Sequence, residues 1–220
     1  MNPSGLPNHT EATLLAGREC SKKEIMTAFH PLPAEFYRRD TFHLVPEILG
    51  KVLVRKVRGK ALAGRIVEVE AYIGDDPASH AARGMTERNK VMFEDGGVSY
   101  VYFTYGMHFC FNIVTEKKGF PAALLVRAVE PLCGIEEMKN RRGTDNLRNL
   151  TNGPAKLCQA MGIDRELNGE ELTGGRLFIA DDGYVIDVKG IGRSTRIGIR
   201  VGTDSKWRFF LKGSEFLSRR

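Results

Sequence analysis

Two strand pairs, each closed by a short turn, constrain the fold of this 220-residue chain more than any other feature. The first joins Lys51–Val57, in which apolar and basic residues alternate, to the apolar run Leu62–Tyr72 through an Arg-Gly-Lys turn. The second joins Ser99–Tyr105 to Phe109–Glu116 through Gly106-Met107. Strand-like segments separated by turn residues predict β-hairpins. The chain is therefore expected to build its core on an antiparallel sheet.

Further strand-like runs and a few short helical segments surround the hairpins. We predict additional strands over Ala122–Glu130, Leu177–Ala180, Tyr184–Val188, Ile197–Val201 and Trp207–Leu211. Short helices are predicted over Ala34–Arg38, Val45–Leu49, Gly134–Arg142 and Gly153–Met161. Because strands outnumber helices and are joined by hairpins, we predict the α+β class, with a single domain and a largely antiparallel, twisted sheet surrounded by short helices.

The first 32 residues differ in character from the rest. They have mixed charges, scattered Pro and Gly, and little periodicity. We therefore predict a flexible N-terminal tail over residues 1–32 and one domain over residues 33–220. The segment beginning at Met26 runs straight into this domain, so we hypothesise that Met26, rather than Met1, is the native start and that residues 1–25 are dispensable.

Two patterns bear on the cellular compartment. No apolar run reaches the roughly 18 residues of a membrane span, and no secretory signal begins the chain. We therefore expect a cytoplasmic protein without a membrane partner. The four cysteines, Cys20, Cys110, Cys133 and Cys158, are widely spaced. In a chain without an export signal, free thiols are expected rather than two disulfides.

The positive charge is concentrated near the C-terminus. The chain has a formal net charge of +6. Between Lys189 and Arg220, nine basic residues stand against only Asp204 and Glu215, a balance of +7 that leaves the rest at about −1. A basic stretch on a neutral body predicts a polyanionic partner, with a solvated basic face as the alternative. Charge alone leaves both readings open.

Paired carboxylates follow the first hairpin turn. Glu68 and Glu70 are two apart on a predicted strand, so they share a face. Two carboxylates at a strand end are common in enzymes that hydrolyse glycosidic bonds, although a solvent-facing acidic edge is the alternative. Tyr72 follows on the same face and His80 comes shortly after. An acid beside aromatic rings is more typical of a site for a flat ligand than of a strand edge that faces solvent.

The second hairpin carries a set of tyrosines. Tyr100 and Tyr102 share a strand face, and Tyr105 falls at the tip next to a glycine. Aromatic residues in strands usually form core or cross-strand pairs. A tyrosine at an exposed tip has less reason to be buried, and proteins that kink duplexes insert a side chain from such a protrusion. Both readings of Tyr105 stay open here.

One arginine and one asparagine stand out among apolar neighbours. Arg127 interrupts an apolar strand and must be paired, because an isolated buried charge is very costly. Glu70 is the expected partner, with Glu68 or Glu130 as rivals. Asn112 ends an aromatic run and can offer both a donor and an acceptor to a base edge. The five histidines show no metal-ligand spacing and no triphosphate-binding loop occurs, so no metal and no cofactor are predicted.

Five segments carry a resemblance to a known family: RIVEVEAYIG, HAARGMTERNKVMF, YVYFTYGMHFCFNIV, LLVRAVEPL and NGPAKLCQAMGI. In order and spacing they resemble the alkyladenine (3-methyladenine) DNA glycosylases, from about Pro33 to the C-terminus. The resemblance implies a monomeric, metal-free bacterial enzyme of base excision repair, in the cytoplasm with the nucleoid. Such an enzyme flips an alkylated or deaminated purine out of duplex DNA and hydrolyses its N-glycosidic bond with water.

The resemblance also implies roles for individual residues. Glu70 matches the general base that activates the water, and Arg127 matches the arginine that helps to hold that water. From the residues themselves we assign Glu68 to structure. An ionised Glu70 is required for this role, and Arg127 would favour that form.

The base-binding and DNA-binding roles follow in the same way. Tyr72 and His80 match the pair that stacks on one side of the flipped base, and Tyr102 matches the ring on the other side. Tyr105 matches the residue that enters the minor groove, and Asn112 matches the residue that discriminates against the exocyclic amine of guanine. The segment between Tyr72 and His80 is one residue shorter than in mammalian members.

Two alternatives remain at this level. One is an RNA-directed enzyme or RNA-binding module that uses the same basic surface and aromatic residues. The other is a non-catalytic protein that binds damaged nucleic acid, in which Glu70 is structural. Which lesions are preferred is not fixed by the sequence.

Overall fold

The computed structural model describes residue 20 and residues 22–219, and its centre is a single antiparallel sheet of nine strands. In chain order the strands are β1 His30–Pro31, β2 Val52–Val57, β3 Lys60–Ile73, β4 Ser99–Thr104, β5 His108–Val114, β6 Ala122–Cys133, β7 Leu177–Asp181, β8 Ile191–Ser194 and β9 Arg208–Leu211. Their order across the sheet is β1-β7-β2-β3-β6-β5-β4, with β9 pairing with both β3 and β8. The predicted α+β fold with a largely antiparallel sheet is confirmed.

Short helices surround this sheet. They are α1 Lys22–Ala28, α2 Ala34–Tyr37, α3 Thr41–Ile48, α4 Ile135–Arg142 and α5 Pro154–Met161. Helix α5 begins with Pro154, whose fixed φ suits a first turn. It ends at Gly162, where φ is 63° and the backbone N–H donates to the carbonyls of Cys158 and Gln159. Helix α3 begins at Thr41, before the predicted Val45, because the Asp40 side chain accepts a hydrogen bond from the His43 N–H and caps it.

Strand β3 organises the sheet. Its first half pairs with β2 in the predicted hairpin, and its second half pairs with β9 from the end of the chain. Its other edge pairs with β6 along almost the whole length. The register between β3 and β6 shifts around Val67, between Ile66 and Glu68. A shift of this kind is a β-bulge, which re-aims the side chains that follow it.

Both faces of the β2–β3–β7 region are covered. On one face Leu53, Leu62 and Ile179 belong to the main core. On the other face, alternate residues such as Val52 and Phe178 belong to a second apolar cluster. Since neighbouring residues of a strand point to opposite faces, one strand can serve both cores. The second cluster is closed by α1.

Helix α1 corrects part of the predicted tail. Residues 1–19 lie outside the described residues, but residues 22–32 are folded where we expected a flexible segment. Ile25 and Phe29 are fully buried in the second cluster, and β1 pairs with β7. The apolar residues of this segment are too few to show a clear period in the sequence. Their burial can be recognised only when the sheet face that they cover is known.

The cysteines also differ from expectation. Cys20 and Cys133 form a disulfide, with their Cα atoms 5.9 Å apart, so the prediction of free thiols was wrong for this pair. Cys20 bridges to Ala61 on β3, and β3 pairs with β6 next to Cys133. The sequence separation of 113 between the two cysteines hides this proximity in the sequence. Cys110 and Cys158 are free and buried.

Two predicted strands are not present. Tyr184–Val188 and Ile197–Val201 are apolar enough to suggest strands, but both are irregular in the structure. The second segment leaves the sheet because its Ile197 backbone N–H bonds a side chain instead of a neighbouring strand. Among the described residues, no helix combines the length and the hydropathy needed for a membrane crossing.

We predict that Ile25 stabilises the domain. Replacing it by alanine removes a fully buried side chain from the second cluster, so the free energy of unfolding should fall by about 2–5 kcal/mol, measured by chemical denaturation. The matched variant Ile25→Val should lose only about 0.5–1.5 kcal/mol. An unchanged value for Ile25→Ala would instead support the hypothesis that residues 1–25 are dispensable.

Candidate active site

A cavity of about 760 Å³ opens between three parts of the chain. The end of β3 and the loop after it supply one wall, which includes Tyr72 and His80. The β4–β5 hairpin supplies a second wall with its tyrosines and Asn112, and residues 197–201 supply a third. The volume falls within the usual range for pockets that hold a small ligand. Rings from β3, from the loop after it and from the β4–β5 hairpin therefore face one space.

Glu70 lies directly behind this cavity and is fully buried. Its Oε2 accepts hydrogen bonds from the Tyr72 hydroxyl at 2.9 Å and from Arg127 Nη1 at 3.1 Å. Its Oε1 accepts a hydrogen bond from the backbone N–H of Ile197 at 2.7 Å. All three partners are donors, so the carboxylate is the acceptor in each of these contacts. The three donors line the cavity although Glu70 itself does not.

Glu68 shares the strand face of Glu70 but has different partners. Its Oε1 accepts hydrogen bonds from Arg127 Nε at 3.1 Å and from Arg208 Nε at 2.7 Å. Ser218 donates its backbone N–H to Oε2 at 2.6 Å and its hydroxyl to Oε1 at 2.7 Å. Glu68 therefore ties β3 to β9 and to the C-terminal segment. Because both carboxylates are fully buried, the alternative of a solvent-facing acidic edge is wrong.

Arg127 joins the two carboxylates. It lies on β6, the neighbour of β3, and is only 7% exposed. Its Nη1 reaches Glu70 and its Nε reaches Glu68, so the expected partner and one of the two rivals are both used. Glu130, the other rival, sits further along β6 opposite Arg65. Burial raises the pKa of Glu130, and the Arg65 charge partly offsets that rise.

Tyr72 connects the carboxylate to the cavity wall. Burial raises the pKa of its hydroxyl, and the adjacent Glu70 carboxylate raises it further. The phenol therefore stays protonated and keeps donating to Glu70. The ring is also in contact with a cation, because the Arg196 guanidinium carbon lies 4.7 Å from its centroid.

His80 stands at the cavity mouth against the tyrosines of β4. Its ring meets the Tyr102 ring edge-on at 4.5 Å between centroids. Its Nδ1 lies 2.9 Å from the Tyr100 hydroxyl. Its position in the cavity wall lowers the pKa of the imidazole through loss of solvent, and the Arg88 charge lowers it further. The ring is therefore neutral at neutral pH.

The loop that carries His80 is held from beneath by Asn89. This side chain is almost fully buried, and its amide donates to the carbonyls of His80 at 2.7 Å and Gly84 at 3.0 Å. Its oxygen accepts a hydrogen bond from the Thr86 N–H at 2.6 Å. The loop residues are therefore organised by one polar side chain rather than by regular structure. The backbone N–H of His80 remains without an acceptor among the described residues.

The two tyrosines of β4 differ in exposure: Tyr100 is buried within the cavity wall, and Tyr102 forms part of its surface. Tyr100 is buried, and this burial raises the pKa of its hydroxyl to about 12. Tyr102 is partly exposed to the cavity, and its ring packs on Tyr100 with 5.4 Å between centroids. Burial raises the pKa of Tyr102 too, with Cys110 across the hairpin adding to the effect. Both hydroxyls are protonated at any physiological pH.

Asn112 and Tyr105 occupy opposite ends of the hairpin. The Asn112 amide donates to the Tyr100 carbonyl at 2.9 Å, which fixes a nearly buried side chain on the cavity wall. Tyr105 is 83% exposed at the tip. Its φ of 51° and the φ of 67° at Gly106 are the positive values of a tight hairpin turn. The tip therefore projects an aromatic ring into solvent beside the cavity.

The basic C-terminal stretch divides in the structure. Arg196 and Arg208 are buried and paired with Asp76 and Glu68, so these two cannot contact a polyanion. Arg220 lies outside the described residues. The other basic side chains of the stretch are exposed, namely Lys189, Arg193, Arg200, Lys206, Lys212 and Arg219. Arg200 also lines the cavity.

Sequence reasoning missed three contributors to the site. Ile197 acts through its backbone N–H, which any residue type could supply, so no sequence signal marks it. Asn89 and the Asp76–Arg196 ion pair are polar side chains in loops, where polar residues are common. A buried role could be recognised only from their partners. Among the described residues, no group of three or more His, Cys, Asp or Glu side chains is arranged to hold a metal ion.

Comparison with known proteins gives one consistent result. The sequence model of the methylpurine-DNA glycosylase family matches residues 35–215. A relative from Carboxydothermus hydrogenoformans is 48% identical over 189 residues, which cover 86% of this chain and 99% of the relative. Relatives from Methanoculleus marisnigri and Chlorobaculum tepidum are 47% and 48% identical over 86% of this chain, and the match covers 99% and 90% of their own lengths. All three carry the provisional name of 3-methyladenine DNA glycosylase.

We predict that His80 titrates below its usual value of about 6.5, as measured by NMR of its ring carbon resonances. Because the pKa is lowered in the folded state, the neutral ring favours folding above that usual value. This contribution is lost as the pH falls through the lowered pKa. Arg88→Ala should raise the pKa of His80 by removing a like charge. Arg83→Ala, at an exposed position in the same loop, should not, and a midpoint at or above 6.5 would contradict the placement of the ring.

Proposed function

Since the chain belongs to the methylpurine-DNA glycosylase family, we propose that it flips alkylated or deaminated purines out of duplex DNA and hydrolyses their N-glycosidic bonds with an activated water. The family makes it a DNA glycosylase and therefore a hydrolase, with DNA as the substrate. The relatives' provisional name points to 3-methyladenine as one of the excised bases. Because every residue assigned below comes from one chain, we expect a monomer to be active.

One observation carries the proposal: a fully buried carboxylate, surrounded by donors, stands directly behind a ring-walled cavity. An ionised carboxylate has about four acceptor positions. Three are filled by Tyr72, Arg127 and Ile197, which leaves one for a water molecule. The open position is on Oε1, the oxygen that Ile197 contacts. A water bound there would sit at the part of the cavity that Ile197 and Arg127 both line, where the sugar of a flipped nucleotide would lie.

Glu70 would then act as the general base. Its proton acceptance activates the water for attack on the anomeric carbon as the bond to the base breaks. Arg127 compensates the negative charge of Glu70 and helps to orient the water. Because the three donors hold the carboxylate in place before the substrate arrives, little reorganisation is needed during the reaction.

The cavity walls suit a purine. Tyr72, His80 and Tyr102 all line the cavity, and His80 is in edge contact with Tyr102. For a flat base to stack with Tyr72 and His80 on one side and Tyr102 on the other, the His80 ring must move off Tyr102, and stacking would contribute roughly 1–3 kcal/mol per base. The unpaired N–H of His80 and the side-chain oxygen of Asn112 offer polar contacts to the base edge. Asn112, fixed by its hydrogen bond to Tyr100, would discriminate against guanine by leaving no space for the exocyclic amine. A cationic alkylpurine would also be attracted to the tyrosine faces.

Flipping needs a residue to replace the extruded base. Opening a base pair costs a few kcal/mol, and less for a damaged base. Tyr105 is exposed at a tight turn beside the cavity, a position from which a ring can enter the duplex and fill the gap. The exposed basic residues of the C-terminal stretch would contact phosphates and hold the duplex in register.

We predict that Glu70→Gln abolishes excision while binding to DNA with an abasic-site analogue persists, because the amide cannot accept the proton from water. Release of free base from duplex DNA containing 3-methyladenine or hypoxanthine is the assay. Glu68→Gln is the matched control, since it changes the same strand face and touches the same arginine but leaves Glu70 intact. It should lower stability yet retain excision.

Undiminished turnover by Glu70→Gln would remove Glu70 from the chemistry. Absence of base release by the unmodified protein would favour the non-catalytic binding protein instead. Parallel duplexes of DNA and RNA that contain hypoxanthine separate the RNA-directed alternative from the proposal.

We predict that Tyr105→Ser weakens flipping, because nothing then fills the gap left by the base. Excision from duplex DNA should fall about tenfold or more, since the few kcal/mol cost of opening the pair is no longer offset. Thermal stability should not change, because the ring makes little contact with the protein. Val185→Ser is the control at another exposed apolar position. Equal loss in both variants, or none in either, would exclude the wedge role.

A further inference from the structure

Arg196 is enclosed behind the cavity wall. Its guanidinium carbon lies 4.7 Å from the Tyr72 ring centroid and 4.9 Å from the Trp207 ring centroid, so the charge is held between two aromatic faces. Its side chain is completely buried, and its Nε has no acceptor among the described residues. Burial works against the charge, but Asp76 outweighs this effect and raises the pKa of Arg196.

Asp76 is the counter-charge of this arginine. Its carboxylate forms a two-point pair with the guanidinium, in which Nη1 contacts Oδ2 and Nη2 lies 2.8 Å from Oδ1. Arg196 also donates to the carbonyls of Ala71 at 3.0 Å and Gly202 at 3.3 Å. The pair is therefore a fixed dipole whose positive end is the one in contact with Tyr72.

The Tyr72 ring lies between this dipole and the cavity. Tyr72 lines the cavity, whereas Arg196 does not. An aromatic ring attracts a cation to either face through the same electron density. A guanidinium on the rear face therefore competes with any positive charge that is placed on the front face.

We propose that the Asp76–Arg196 ion pair sets the selectivity of this site between cationic and neutral purine lesions. Arg196 disfavours a positively charged base on Tyr72, and Asp76 limits that effect. This inference rests on the proposed function. It gives the ion pair a role that is separate from the attraction of the tyrosines themselves for an alkylated base.

The direction of the effect follows from charge. A 7-methylguanine base carries a positive charge, whereas hypoxanthine and ethenoadenine are neutral. Two positive charges on opposite faces of one ring repel each other, and at low dielectric this repulsion is not screened as it is in water. A neutral base is insensitive to it. The ion pair therefore shifts the balance towards neutral lesions, which lack the advantage of a charged leaving group.

A purely structural role is the alternative. Asp76 belongs to the loop that leads to His80, and Arg196 precedes Ile197, whose N–H bonds Glu70. Loss of the pair could simply loosen both loops. Such loosening would reduce excision of charged and neutral bases together, whereas the proposed effect changes one relative to the other.

The test compares single-turnover excision of 7-methylguanine and ethenoadenine from otherwise identical duplexes by Arg196→Gln, Asp76→Asn and the double variant. The quantity of interest is the ratio of the two rates. Because both substrates are measured with the same preparation, the folded fraction of a variant cancels in this ratio. Arg196→Lys, which keeps the charge, is the control.

Arg196→Gln leaves the Asp76 carboxylate behind the ring, so the ratio of cationic to neutral excision should rise about three- to tenfold, the range that one cation–π contact supports. Asp76→Asn leaves the guanidinium uncompensated, so the ratio should fall. The double variant should show a smaller rise than Arg196→Gln, because the removed charges oppose each other. Arg196→Lys should keep the ratio of the unmodified enzyme.

The inference is overturned if both rates fall in parallel and the ratio stays constant in every variant. If the single variants do not fold, the double variant decides, since it buries no unpaired charge: a raised ratio supports the proposal and an unchanged ratio refutes it. Failure of the proposed function would give a different result, because the unmodified enzyme would then release neither base.

Discussion

The structure depends on the neutralisation of two carboxylates that strand β3 places inside the protein. Glu68 and Glu70 are fully buried, and isolated charges in that position would cost more than a small domain can offset. Arg127 reaches both carboxylates, and Arg208 adds a second positive charge at Glu68. The four groups form a neutral cluster in which removal of any one member would leave a buried charge unpaired. The strands that carry these groups, β3, β6 and β9, must therefore meet in one register.

The two carboxylates of this cluster differ in their hydrogen-bond partners. The Glu68 carboxylate accepts four hydrogen bonds, from Arg127, Arg208 and Ser218, and it is shielded from solvent. Glu70 has donors that belong to the cavity wall, so it remains close to whatever enters the cavity. The β-bulge near Val67 adjusts the face that both residues share. The same cluster thus holds the sheet together and keeps one carboxylate next to the cavity.

Local patterns in the sequence were sufficient for the hairpins and for the pairing of Arg127 with Glu70. Hairpins are joined by short turns, so their partners are close in the chain. An arginine in an apolar strand must find an acid, and few acids were available. Segments whose structure depends on distant partners could not be predicted in this way. Helix α1, the Cys20–Cys133 disulfide and the Asp76–Arg196 pair all join residues that are far apart in sequence.

The misassigned segment at residues 197–201 shows the same limit. Its apolar, β-branched residues have strand propensity, but its backbone bonds a carboxylate and lines a cavity instead. Strand propensity describes what a segment prefers in isolation. In the folded protein, the buried Glu70 carboxylate offers the backbone of this segment an acceptor that replaces a neighbouring strand. The roles of Tyr72, His80, Tyr102 and Asn112 came from resemblance to a family. The structure adds the hydrogen bonds and ring contacts that hold them.

Two of the three residues that bond Glu68 lie 140 and 150 residues further along the chain, at Arg208 and Ser218. During translation, β3 leaves the ribosome long before either partner has been made. Glu70 can be paired with Tyr72 and Arg127 early, but Glu68 stays incompletely paired until the final residues emerge. A prematurely terminated polypeptide would lack the closing segment, so the Glu68 carboxylate would keep Arg127 as its only partner among these residues.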